Sequence, residues 1–337
     1  MSDPTAPAPY VSLPPAPDQP PAASSPPRRR GLLAGAVALA VVLVAGAVAI
    51  VLTQGGGSAE AQPLALRFVE GQTETYDIAM TLDARVSSDM SDFPGEIPLD
   101  VEMTEVVTWE VVSVDDQGLA TIEVSVTELS GSVSGFEIPT ETADVPPTQI
   151  VIAPDGRIVS IDGMPIGGLG EMPGVGFPGT NQLTPLLPDE GTAVAPGDTW
   201  TKELSQQMPF GEGAVELTAT SRYDRNEDVN GREAAVIVTE MTIPFDLSFD
   251  LEDLAAFGRE LGATGPTGMD VMGDATVSAS GSATITQTSY VDLEAMELLR
   301  TESSGDVDVE MALGGMAGFD DATMTFAGSF TQELERR

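Results

Sequence analysis

Strict period-2 alternation, repeated over long runs, is the feature that most constrains this chain. In "VEMTEVVTWEVV" it puts Val101, Met103, Val107, Trp109 and Val111 on one face. "ATIEVSVTEL" does the same with Ala120, Ile122, Val124 and Val126, and "AVELTATSRY" with Val215, Leu217, Ala219 and Tyr223. Successive side chains of a strand point to opposite sides, so this pattern marks antiparallel strands buried on one face only. Between the runs lie turn pairs suited to hairpins: Asp115-Asp116-Gln117-Gly118, Asp155-Gly156, Asn230-Gly231 and Ser304-Gly305. Eleven or twelve strands are expected, several of them long. Helical signal is confined to "DLEDLAAFGRELG", where Asp250 can cap a stripe of Leu251, Leu254 and Leu261, and to a turn or two in "TNQLTPLL". The expected fold is mainly β, with long antiparallel meander strands forming an open (half) barrel or two related β-sheets and one short helix.

A second feature governs topology. Gly31–Thr53 is a run of 23 residues without a charge, preceded by Arg28, Arg29 and Arg30. As a helix it would be roughly 35 Å long, enough for a hydrocarbon core of about 30 Å. A secretory h-region is shorter, usually ~7–15 residues. The arginines assign the N-terminus to the cytoplasm. Ala59-Glu60-Ala61 also matches a signal-peptidase site, so cleavage after Ala61 is the alternative. Either way residues 63–337 are expected outside the cytoplasm. The expected organisation is a disordered Pro-rich cytoplasmic tail (1–30), a transmembrane helix (31–53), a flexible linker (54–62) and an exported β domain (63–337). That domain divides into halves at 63–190 and 191–337, because "QGLATIEVSVTEL" at 117–129 is echoed by "NGREAAVIVTEM" at 230–241. Two long Gly/Pro/Met-rich loops, 163–179 and 262–275, are candidate flaps over an apolar site.

Composition excludes more than it selects. The 337 residues contain no histidine and no cysteine, which removes Ser-His-Asp and Cys-His nucleophiles, ordinary zinc sites, haem ligation and disulfides. A net charge of −39 repels nucleic acid and anionic headgroups. Lys202 is the only lysine. "GVGFPG" at 174–179 opens no helix and is no dinucleotide site. "DRNEDVNG" spaces Asp224, Asn226, Asp228 and Asn230 like part of a calcium loop, but Val229 and Ala235 stand where glycine and glutamate belong, so a hairpin explains it better. No catalytic residue, metal or cofactor is assigned.

The stretch singled out for binding is "TIPFDLSFDL", in which Ile243, Phe245, Leu247, Phe249 and Leu251 share a face. Leu99, Val101 and Met103 of "FPGEIPLDVEM" form an analogous run. Strands of this kind line either a filled core or the concave wall of an open barrel around an apolar ligand.

"LPDEGTAVAPGDTW", Leu187 to Trp200, resembles uncharacterised actinobacterial exported proteins with a P-G-D-x-W signature. "GSATITQTSYVDLEAMELLRTESSGDVDVEM", 281–311, resembles a hairpin of LolA/LppX-like lipoprotein carriers. That resemblance implies long strands curled around an apolar cavity and a lipid ligand. The resulting expectation is a non-catalytic, single-pass, extracytoplasmic module that binds lipid or another apolar ligand. The alternative is a structural or protein-interaction module of the envelope without a pocket.

Overall fold

The computed structural model describes residues 61–89, 95–137, 146–165, 184–207, 214–250, 276–314 and 322–337. The apolar run 31–53, the helical signal of 251–262, the loop 262–275 and all but the first three residues of the loop 163–179 lie outside them. Among the described residues no helix is long and apolar enough to cross a membrane.

Fifteen strands are described, more than the alternation alone suggested, because several have only two to five residues. In chain order they are β1 (Gln62–Pro63), β2 (Thr73–Ser88), β3 (Ile97–Val114), β4 (Ala120–Val133), β5 (Phe136–Glu137), β6 (Thr148–Ile152), β7 (Ile158–Ile161), β8 (Met164–Pro165), β9 (Ala193–Val194), β10 (Thr199–Gln207), β11 (Ala214–Val229), β12 (Arg232–Asp250), β13 (Thr276–Asp292), β14 (Leu298–Gly314) and β15 (Ala322–Arg336). β1 and β9 pair with each other. The rest form one antiparallel sheet in the order β10-β11-β12-β13-β14-β15-β2-β3-β4-β6-β7-β8, with β5 on β4. Within the large sheet β10 to β15 run in sequence order, as do β2 to β4 and β6 to β8, and the β15–β2 ladder joins the chain's late strands to its early ones.

Turn chemistry sets the hairpins. Asp115 Oδ1 accepts from the Gln117 and Leu119 amides, at 2.8 and 2.9 Å, and closes β3–β4. Asn230 and Gly231 both have positive φ, 54° and 83°, as a two-residue turn twisted with its strands requires. Asp228 Oδ1 accepts from Gly231 N there, which accounts for the acidic spacing as a hairpin. Two expectations are corrected. Ser304-Gly305 is no turn: it lies inside β14, where Gly305 stands between Ile285 and Phe330 in register and leaves room for both. The β13–β14 turn is instead made by Asp292 Oδ1, which accepts from the Glu294 and Ala295 amides. Nor is "TPLL", 184–187, helical. It is an extended strap.

The sheet is curled, and burial shows how far. One apolar cluster contains Tyr223 and Ile237 from β11 and β12 together with Ile122, Ile150 and Ile161 from β4, β6 and β7. At about 4.8 Å per strand, β12 and β6 would lie more than about 30 Å apart in a flat sheet. The cluster has members on every strand between them, so the curl is fixed by direct contact across the wall. Lys202 on β10 supplies one such contact by reaching the β6–β7 turn, where its Nζ is 2.8 Å from Asp155 Oδ2. Among the described residues no ladder joins β10 to β8, and the strap crosses between these two ends of the sheet: Leu187 N donates to Asp155 O, and Trp200 Nε1 donates to Leu186 O.

Candidate functional site

The inner wall is stratified. At one end lies the cluster just described, including Tyr76, Ile78, Trp109 and Leu334. Toward the other end of the long strands lies a second cluster built from Leu82, Val101, Ile285, Val309, Phe326 and Phe330. Both are products of the alternation, and burying each large side chain is worth roughly 1.5–3 kcal/mol.

Between them the parity of the strands is unchanged, but the side chains become polar. The ladders align Ser221, Thr239, Gln287, Ser303 and Gln332 in one lateral row across β11 to β15. Each is at most 4 % exposed. The next row carries Ser289 and Thr301, also buried, and ends in Glu105 on β3, opposite Ile78 and Leu129.

Part of this layer is satisfied internally. Ser221 and Thr239 share a hydrogen bond of 2.8 Å, Ser289 and Thr301 one of 3.2 Å. Gln287 Nε2 donates to the Thr184 carbonyl of the strap at 3.1 Å. Part of it is not. Gln332 Nε2 and Ser303 Oγ, neighbours across β14 and β15, are buried without a hydrogen-bond partner among the described residues. An unsatisfied buried polar group costs about 1–3 kcal/mol, so two side by side in an apolar wall are out of keeping with a simple core. Glu105 adds a carboxyl that is 5 % exposed, and burial pushes its pKa up to about 7.

The cations are engaged elsewhere. Lys202 is held by Asp155 and by Asp189, at 2.8 and 2.6 Å. Burial pushes the Asp155 carboxyl up, but hydrogen bonds from Lys202 and Arg157 outweigh it and leave it below the usual range. Arg336, at the rim of the inner wall beside Tyr76, pairs with Glu74 and Glu297. The layer itself is therefore uncharged apart from Glu105. On the opposite, outer face, a groove of about 500 Å³ runs over Asp83, Arg85, Asp306 and Asp308. Val307 and Ala327 share its lining with these charged groups, and among the described residues no cluster of His, Cys, Asp or Glu is arranged to hold a metal ion.

The residues singled out from the sequence fall as follows. Leu99 and Val101 are buried in the second cluster, while Met103 is half-buried on the same inner face, level with Met80 and Gln332. Ile243 packs on that cluster from β12. Phe245, Leu247 and Phe249 continue β12 in register with Gly281, Ala279 and Val277. Leu251 lies outside the described residues. The polar layer was missed. Its signal was present as gaps in the alternation: position 105 in "VEMTEVVTW", 287 and 289 in "ATITQTSYV", and 332 in "FTQEL" all carry polar groups at apolar parity.

No protein-family model matches this chain, and no curated protein does. Among solved structures, the hypothetical lipoprotein YmcC from Escherichia coli (K12) aligns over 73% of this chain and 85% of its own, at 11% identity and a TM-score of 0.24. DynF from the dynemicin biosynthesis pathway of Micromonospora chersina aligns over 85% of this chain and 90% of its own, at 9% identity and a TM-score of 0.19. Scores this low transfer neither fold nor function.

Proposed function

We propose that residues 63–337 form a non-catalytic, extracytoplasmic binding module, tethered by a single span at 31–53, whose curled inner wall takes a lipid or another apolar ligand. One observation supports the reading: a curled antiparallel sheet whose inner face is apolar at both ends and holds at mid-height two buried donors, Ser303 Oγ and Gln332 Nε2, that have no hydrogen-bond partner among the described residues. Ligand pockets have this composition, mostly hydrophobic with a few placed polar groups. Ile243, Leu99, Val101 and Met103, with Phe245, Leu247, Phe249 and Leu251 extending the same stretch, are proposed to line the apolar part. The absence of histidine and cysteine from the whole sequence supports a non-catalytic role.

Native mass spectrometry of the chain purified from membranes tests the reading. Co-purified lipid, or uptake of an added apolar probe at one-to-one stoichiometry, is expected. A bare mass that takes up no probe contradicts it, and favours the alternative of an envelope interaction module without a ligand. The tether is tested separately by a C-terminal reporter, expected to be active only outside the cytoplasm.

A further inference from the structure

Resting on that reading, we infer that the ligand is a neutral amphiphile whose carbonyl- or ester-type oxygen accepts hydrogen bonds from Gln332 Nε2 and Ser303 Oγ, with its hydrocarbon against the second apolar cluster. The structure supplies its own precedent one strand away. Gln287, beside Ser303 in the same row, already donates its Nε2 to a carbonyl oxygen, that of Thr184, at 3.1 Å. The row is thus built to receive carbonyl acceptors, and the strap fills one such position. Gln332 and Ser303 offer the same donors with nothing to accept them. An amide N–H and a hydroxyl call for an acceptor.

Charge narrows the class further. An anionic headgroup would meet Glu105 on the same wall, while Lys202 and Arg336, the cations at its rim among the described residues, are each held between two carboxylates. A bare hydrocarbon would leave both donors unsatisfied. A neutral ester or acylglycerol-type head meets both conditions.

The test uses the full chain in amphipol, titrated at mildly alkaline pH with monoolein, oleate and 1-octadecene, whose hydrocarbon tails are alike and whose polar ends differ. Trp109, in the inner wall, supplies the fluorescence signal. Monoolein is expected to bind at least about ten-fold more tightly than either competitor, the scale of one hydrogen-bonded contact. In the double variant Gln332→Met/Ser303→Ala, monoolein should fall to the affinity of octadecene, while octadecene is unchanged. The ligand-free thermal midpoint of Gln332→Met should not fall below the parent's, because an unpartnered amide contributes nothing to the empty fold. A purely structural glutamine would lower it, which would count against the inference. If the double variant does not fold, Ser303→Ala alone is read in the same way. Equal binding of all three probes, or a preference that survives the substitutions, overturns the inference and leaves the binding module standing. Failure of every probe removes both.

Discussion

Glu105 faces the closed interior of the wall, with Ile78 and Leu129 directly opposite and Met103 and Val107 two positions away on its own strand. Among the described residues no charge compensates it, and burial raises its pKa from 4.5 to about 7. The folded state therefore holds the proton more tightly than the unfolded chain. The stability this represents is complete below about pH 4.5 and is lost as pH rises through about 7, a total of about 3 kcal/mol. With no histidine or cysteine in the sequence, few other side chains titrate in that window. Thermal midpoints of the parent should thus fall between about pH 5 and pH 8, whereas Glu105→Gln should flatten the curve and melt higher at pH 8. Parallel curves for the two proteins would contradict the assignment. Glu105 was legible only as a missing beat in an alternating run. Nothing local says whether such a residue faces solvent or is drawn inside by its neighbours' parity.

The hairpins were largely legible because turn chemistry is local: Asp115 accepts from the amides of its turn, and Gly156, Asn230 and Gly231 supply the positive φ that theirs need. Ser304-Gly305 misled because glycine also serves the interior of a strand with large neighbours, and only the pairing of β14 with β13 and β15 reveals which. The strap was illegible for a related reason. Its position depends on the β6–β7 turn, where a Cβ added to Gly156 would lie 1.7 Å from Pro185 O. Gly156 also has φ of 84°, so Gly156→Ala should destabilise the chain by more than about 1 kcal/mol and release Trp200 from Leu186, read as a red shift in emission. An unchanged spectrum would show that the strap is not seated there. Lys202 reports on the same junction. As the sole lysine, only 10 % exposed at its side chain and held by two carboxylates, it should be acylated slowly in the native chain and faster in Asp155→Asn. Equal rates would mean that the pairs do not shield it.

Across the whole molecule, alternation conveys that strands are long and one-sided, and their short connections imply a meander. It does not convey curvature. That comes from twist accumulated over many strands and from contacts between residues far apart in sequence, such as Lys202 with Asp155 and Gln287 with Thr184. Both echoed segments run from a hairpin turn into a long strand, β4 and β12, of the same sheet. A net charge of −39 must also be accommodated, and its self-repulsion opposes compaction. Raising salt from about 0.01 M to about 0.5 M shortens the screening length from about 30 Å to less than 8 Å. The thermal midpoint should rise accordingly, and a falling midpoint would show that the ion pairs outweigh the repulsion. In the proposed binding mode the inner wall, not the outer groove, is the surface that meets a ligand. Photo-crosslinking with a diazirine-bearing monoacylglycerol, followed by peptide mapping, tests this most directly. Adducts are predicted on inner-face residues such as Met80 and Phe330. Adducts confined to the outer face, at Asp83 or Ser329, or no saturable adduct at all, would contradict it.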